Sequence, residues 1–254
     1  NSFAKSIGKT VHFMIVPSAG WAVKDSVIGI ADPYNDAALI DRLYGMTDEG
    51  VSNVDVITVF ENAEDKAALY YKTDHHWTSL GAYTAYAALM EQLNRACPAR
   101  DFFTVRTVDG FKGSTHSRAA LWLKPGEPLE MWEGSKNLLV TNGENDQVHE
   151  GIFYEERLQE ADKYTVYLDG NHSVVCIENP DNAGKGKVLV IRDSYSNCLG
   201  GFLAESYETV VLVDLRYLNN QTVSDIEAQY GFDDVLVCYS LSNFLSDNNL
   251  FKLK

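Results

Sequence analysis

Positive charge is scarce in this sequence: 21 Lys and Arg stand against 36 Asp and Glu, a formal net charge of −15. Nucleic acids and anionic membrane surfaces are bound by clustered Lys and Arg, so the balance argues against both partners. It also disfavours a strongly anionic polysaccharide. An acidic surface needs no partner of its own, since it keeps a protein soluble. Paired cysteines are lacking too. Cys97, Cys176, Cys198 and Cys238 form no C-x-x-C, which leaves no pattern for structural zinc. Parity allows two disulfides, but Cys176, Cys198 and Cys238 lie in or beside apolar runs, where a free buried thiol is expected. No apolar run reaches the roughly 18 residues of a membrane span. No signal peptide is legible, and the chain starts at Asn1 rather than Met, a hint of a trimmed export signal or anchor. No stretch has the bias of a linker or low-complexity tract, and no internal repeat is found.

What remains is a globular composition, 45% hydrophobic over 254 residues, enough for one large α/β domain or two small ones. "TVHFMIVP" (Thr10–Pro17) reads as a buried strand and "DAALIDRLYGM" (Asp36–Met46) as a helix. "VDVITVF" (Val54–Phe60) is β-branched and predicts a strand; "NAEDKAALYY" (Asn62–Tyr71) predicts a helix. Tyr83, Tyr86, Ala87, Met90 and Leu93 make the stripe of an amphipathic helix, with the tyrosines as core. The middle, from about Phe102 to Tyr164, is less regular, with turns at "KPGEP" and "TNGEND", and reads as an insertion or a cap over a site. "KYTVYLDGNHSVVCI" (Lys163–Ile177) predicts two strands around a turn. Three continuous apolar runs follow, "KVLVI" (Lys187–Ile191), "TVVLVDL" (Thr209–Leu215) and "DVLVCYS" (Asp234–Ser240), as expected of parallel strands buried on both faces. A short helix closed by glycine, Val223–Gly231, separates the last two. The alternation predicts an α/β fold with a parallel sheet.

Ligands of such sheets sit at the carboxyl ends of the strands. After "KVLVIR" comes "DSYSN", Asp193 to Asn197. A serine on that strand-to-helix turn can expose its hydroxyl while backbone N–H groups face an incoming anion. Serine and aspartate also cap helices, so the turn alone decides nothing. A nucleophile needs a base, and the base an orienter. Two of the chain's six histidines supply the candidates, in "YYKTDHHWTSLGAY" (Tyr70–Tyr83). Asp74 and His76, two apart before a helix, allow the carboxylate to hold one ring nitrogen and leave the other free. The nearby helix N-terminus favours the neutral imidazole that a base requires. His75 points elsewhere, as a substrate contact or as a partner of backbone or solvent. Trp77 is read as packing that fixes the loop. "DHH" also occurs in manganese phosphoesterases, but those sites need further ligands on neighbouring strand ends. Asp55 lies inside a strand pattern, and no second D-x-D or H-x-H cluster is seen.

Together "YYKTDHHWTSLGAY", "VLVIRDSYSN" and "VVLVDLRY", with "FMIVPSA" and "LDGNHSVVCIEN", resemble the DHHW family of bacterial proteins over most of the chain. That family is similar in turn to the SGNH-hydrolase-like alginate O-acetyltransferases, which use a D-x-H-W motif and a downstream serine. The resemblance implies one three-layer α/β/α SGNH-hydrolase-like domain over residues 1–254, with a mainly parallel central sheet. It puts Ser194 in the nucleophile role, His76 in that of base and Asp74 in that of acid, with Ser196 as the fallback serine. Ordinary SGNH hydrolases run serine first and D-x-x-H last. The order here is reversed, which a constellation defined by geometry permits. Gly170 and Asn171 are candidate oxyanion donors, against a plain β-turn. Arg216, beyond a strand's carboxyl end, is a candidate for substrate, against a surface ion pair. The implied function is acyl-ester chemistry on carbohydrate, O-acetyl transfer or O-acetyl ester hydrolysis. The implied setting is extracytoplasmic or cell-surface, with no cofactor, no nucleic acid and a carbohydrate or other acetylated small molecule as partner. A non-catalytic carbohydrate-binding relative and a metal phosphoesterase built on the Asp-His-His motif are the competing readings.

Overall fold

A computed structural model of the chain describes residues 1–26, 35–120, 123–143, 147–219 and 221–253. In chain order the strands are β1 (Val11–Val16), β2 (Val51–Asn53), β3 (Thr104–Phe111), β4 (Glu127–Glu133), β5 (Leu139–Asn142), β6 (Val148–Glu150), β7 (Val174–Glu178), β8 (Lys187–Arg192), β9 (Thr209–Val213) and β10 (Asp234–Ser240). The α-helices are α1 (Ser2–Ile7), α2 (Ala19–Ala22), α3 (Asp36–Tyr44), α4 (Val56–Glu61), α5 (Ser79–Gln92), α6 (Ser114–Arg118), α7 (Ser196–Ala204), α8 (Val223–Tyr230) and α9 (Leu241–Ser246).

The main sheet runs β2-β1-β10-β8-β9-β7-β5-β6. From β2 to β9 every pairing is parallel; β7, β5 and β6 add antiparallel pairings at one side. The parallel strands are apolar on both faces because both faces are covered. Val188 and Val190 pack on one side with Tyr86 and Leu89 of α5 and Leu199 of α7. Leu189 and Ile191 pack on the other with Phe3 of α1, Ile40 of α3 and Ile226 of α8. Each such aliphatic side chain contributes about 1.5–3 kcal/mol by burial. A slip of one residue would exchange the two faces of a strand, so packing pins the register. The carboxyl ends of β1, β10 and β8 therefore lie side by side, with Val16 opposite Ser240 and Arg192 opposite Cys238.

Several expectations are corrected. Val54–Phe60 is not a strand; the strand is the shorter β2 before it, and Val56 opens α4. Asp55 caps that helix by accepting from the Thr58 N–H at 3.0 Å. Val56 and Phe60, one turn apart, are the residues α4 buries, so capping and tertiary packing override β-branched propensity. Asn62–Tyr71 forms only a 3₁₀ turn, Lys66–Leu69, and Tyr70 is already extended. Of the two strands expected in Lys163–Ile177 only β7 forms. The first half is a 3₁₀ turn, Lys163–Val166, followed by Leu168, Asp169 and Gly170 at positive φ. In the described part of the middle, β3 and β4 pair as an antiparallel ribbon, and α6 lies between them in sequence. Residues 144–146 of "TNGEND" fall outside the described residues.

All four cysteines are free, with Cys198 and Cys238 buried and Cys97 and Cys176 half-buried. Among the described residues, no helix is long and apolar enough to cross a membrane.

Candidate active site

Ser194 sits where β8 ends at the carboxyl edge of the sheet and the chain turns into α7. The turn is fastened by Asp193, which is fully buried. One of its carboxylate oxygens accepts from the Tyr195 N–H at 3.0 Å. The other accepts from the Ser240 N–H (2.9 Å), the Ser240 hydroxyl (2.7 Å) and the Asn243 amide (2.8 Å). The serine turn is thus tied to the end of β10 and the start of α9. The turn's own hydrogen bonds use the N–H groups of Tyr195, Ser196 and Asn197, and not that of Ser194.

The second half of the site is the loop from Tyr70 to Trp77. Tyr70 bridges to Trp77, the Tyr71 N–H donates to the His76 carbonyl, and Thr78 caps α5 by accepting from the Gly81 N–H. Inside this closed loop Asp74 Oδ1 accepts from the His76 N–H at 2.9 Å and lies 2.5 Å from His76 Nδ1. His76 Nε2 lies 2.8 Å from Ser194 Oγ. Three residues singled out in the sequence therefore form one continuous chain, Asp74–His76–Ser194, across a sequence gap of 118 residues between histidine and serine. The indole N–H of the fully buried Trp77 donates to the Tyr195 carbonyl at 3.0 Å. Trp77 thus packs the loop onto the serine turn, and the Tyr195 hydroxyl returns a hydrogen bond to the His75 carbonyl.

The middle segment closes over this loop. Asp74 Oδ2 accepts from the Ser114 N–H at 2.7 Å. Gly113 makes that approach possible, because a Cβ there would lie 2.2 Å from the Asp74 side chain. Glu127 at the start of β4 accepts from the Lys72 N–H and from the Thr73 hydroxyl. Tyr164 stacks face to face on His76, with ring centroids 3.8 Å apart and planes 6° apart. His75 is also 3.8 Å from His76, tilted by 38°. Two rings at that distance from a third occupy its opposite faces, so the imidazole of His76 is clamped.

Burial alone would raise the Asp74 pKa. The hydrogen bond from His76, the positive potential of both imidazoles and the Ser114 N–H outweigh it and hold the carboxyl well below the usual range. His75 shifts down to about 4, first through burial and then through its neighbour His76, against the pull of Asp74. A histidine flanked by an ionised carboxylate on Nδ1 and by a serine hydroxyl on Nε2 can accept the serine's proton.

Other expectations divide. Ser196 is fully buried in α7, and among the described residues its hydroxyl is not bonded to the histidine. Gly170 and Asn171 precede β7, whose first residue lies opposite Val213 at the carboxyl end of β9. They are therefore at the correct edge. The Gly170 N–H is already donated to the Tyr167 carbonyl. Asn171 is exposed, and its Oδ1 accepts from Arg192 at 3.0 Å and from Asn197 at 3.1 Å. Arg216 clasps the buried Asp214 through two bonds of 2.9 and 2.6 Å, the ion-pair role rather than an open guanidinium. Ser114, Tyr164 and Asp193 were not singled out in the sequence. Nothing local marks the first two, since their partners are distant in the chain. Asp193 could have been noticed as the acid adjoining the candidate serine.

As to metal, Asp74, His75 and His76 present ligand atoms within 4.8 Å of one another. In this set the Asp74 oxygen and His76 Nδ1 are already hydrogen-bonded to each other, a bond that a metal ion would have to displace.

A family model described as DHHW protein matches residues 2–213, and the chain belongs to the DHHW family. Solved structures share its fold. A DHHW family protein from Eubacterium siraeum is 24% identical with a TM-score of 0.84, over 99% of this chain and 85% of that one. Bacillus cereus PatB1 with a sulfonyl adduct is 20% identical with a TM-score of 0.81, over 100% and 87%. The O-acetyltransferase domain of Pseudomonas putida AlgJ is 14% identical with a TM-score of 0.58, over 98% and 81%. No curated protein matches the sequence.

Proposed function

We propose that this DHHW-family chain transfers or hydrolyses O-acetyl groups of a carbohydrate through a Ser194–His76–Asp74 triad. The observation that carries the reading is the pair of contacts on His76: Nδ1 to Asp74 at 2.5 Å and Nε2 to Ser194 Oγ at 2.8 Å. In this reading Ser194 Oγ attacks an acetyl carbonyl carbon and its proton passes to His76 Nε2. Asp74 fixes the Nδ1–H tautomer and stabilises the imidazolium. The tetrahedral oxyanion faces the Ser194 N–H, with the Asn171 amide as second donor in place of Gly170. The adduct collapses by breaking the bond to the donor's ester oxygen, which leaves as an alcohol with the proton from His76; water or a sugar hydroxyl then attacks acetyl-Ser194, gives its proton to His76 and releases Ser194 Oγ. The reaction needs no cofactor. Fold likeness to a domain described as an O-acetyltransferase supports acetyl over other acyl groups. An SGNH-like three-layer domain spanning the whole chain, working at the cell envelope, belongs to the same reading.

The ligand cluster of Asp74, His75 and His76 gives the metal phosphoesterase a second place. Turnover of p-nitrophenyl acetate, then of acetylated oligosaccharides, separates the two. Ser194→Ala and His76→Ala should each lower turnover by about a thousandfold or more, with the double variant little worse. Asp74→Asn should cost about as much, through the wrong tautomer. Full activity in folded Ser194→Ala, or activity against phosphoesters that requires manganese or zinc, would reject the triad.

A further inference from the structure

His75 has no part in the reaction just described, yet it is the most outward group of the cluster. Its side chain is 42% exposed, against 7% for His76. The two rings are in contact, and both turn Nδ1 toward the same Asp74 oxygen, at 2.5 Å for His76 and 3.6 Å for His75. His75 Nδ1 is also 2.6 Å from Ser114 Oγ. With its proton on Nδ1, on the side of these two oxygens, His75 presents Nε2 as the acceptor nitrogen. Among the described residues no group bonds to that Nε2.

We propose that His75 Nε2 accepts a hydrogen bond from the hydroxyl adjacent to the one that attacks, so that the acyl acceptor is a vicinal diol such as a sugar ring carries. This rests on the acyl-transfer reading above. In the transfer half-reaction the acceptor oxygen attacks the carbonyl carbon of acetyl-Ser194, and its proton goes to His76 Nε2. The new C–O bond forms, the bond to Ser194 Oγ breaks, and Oγ recovers the proton from His76. A hydroxyl close enough to His76 to do this brings its neighbour beside the ring of His75, which is tilted against His76. Ser114 acts as a positioning residue, because its hydroxyl holds the His75 ring through Nδ1. Water has no second hydroxyl, so His75 favours transfer to a diol over hydrolysis.

The test uses p-nitrophenyl acetate as donor and two acceptors, cis-1,2-cyclohexanediol and cyclohexanol. The readout is the ratio of the two acetylated products within each protein. Wild type should favour the diol. His75→Phe keeps a ring on His76 but removes both nitrogens, and should lower the ratio by about tenfold, the worth of one hydrogen bond. His75→Gln, which offers a carbonyl oxygen, should recover part of it, and Ser114→Ala should fall between wild type and His75→Phe. Should His75→Phe not fold, His75→Gln and Ser114→Ala carry the same comparison. An unchanged ratio in the variants, or no diol preference in wild type, overturns the inference. Intact-protein mass shows whether acetyl-Ser194 forms. Its absence in wild type would reject the acyl-transfer reading itself, whereas its presence with an unmoved ratio rejects the role of His75 alone.

Discussion

The two halves of the candidate site are held by different means. The serine turn is fastened from within the sheet, by a buried Asp193 that ties β8 to β10 and α9. The histidine loop is fastened from outside the sheet, by Ser114, Glu127 and Tyr164 of the segment between β3 and β7. Ser194 is thus placed by topology, and His76 by a cover laid over it. Damage to the first brace should appear as lost stability together with lost activity. Damage to the second should appear mainly as misplacement of one ring.

Asp193→Ala is expected to have the largest effect. It leaves the donors of Tyr195, Ser240 and Asn243 without an acceptor in a fully buried place. The cost is about 2–4 kcal/mol, read as a lower Tm and denaturant midpoint, with activity lost alongside. A variant of wild-type Tm would show that the turn does not depend on this brace.

Tyr164→Leu should cost about 1–2 kcal/mol of stability by shrinking a buried ring, less than Asp193→Ala, and should lower acetyl-ester turnover by about tenfold to a hundredfold, because His76 loses the flat face that fixes its plane. Circular dichroism melts and kcat on the same preparations separate the two effects. Equal losses in Tm for Tyr164→Leu and Asp193→Ala would erase the contrast between the two braces.

The smallest effect concerns pH. His75 titrates at about 4 in the folded protein, below its value of roughly 6.5 in an unfolded chain. Between those values the unfolded chain binds more protons, so this residue makes stability rise with pH and lose ground as pH falls through the window. Relative to wild type, His75→Phe should therefore gain Tm as the pH is lowered from about 6.5 toward 4. A constant difference across the window would mean that the cover does not hold His75 neutral.

The same contrast explains what was legible in the sequence. The apolar runs Lys187–Ile191, Thr209–Leu215 and Asp234–Ser240 announce parallel strands, because burial on both faces is a property of each run by itself. Ser194 follows from the place of one run's end. Asp74 and His76 are two apart, so their contact is local and can be read from their spacing. Ser114 and Tyr164 reach the site only through the closure of the middle segment, which carries neither period nor motif. Val54–Phe60 misleads because a single cap at Asp55 and two buried residues one turn apart decide for helix against β-branched propensity. For Arg216 the ion-pair reading has a partner two residues away, but the burial of that partner, Asp214, is a matter of the packed sheet and not of the local sequence.

The most direct test of the joined halves is covalent labelling with a serine-directed fluorophosphonate or sulfonyl fluoride, mapped by peptide mass spectrometry. The 2.8 Å contact between His76 and Ser194 makes the serine's reactivity depend on the histidine. The expected result is a label on Ser194 in wild type that is nearly absent from folded His76→Ala. A label on Ser196, or equal labelling of Ser194 with and without His76, would contradict it.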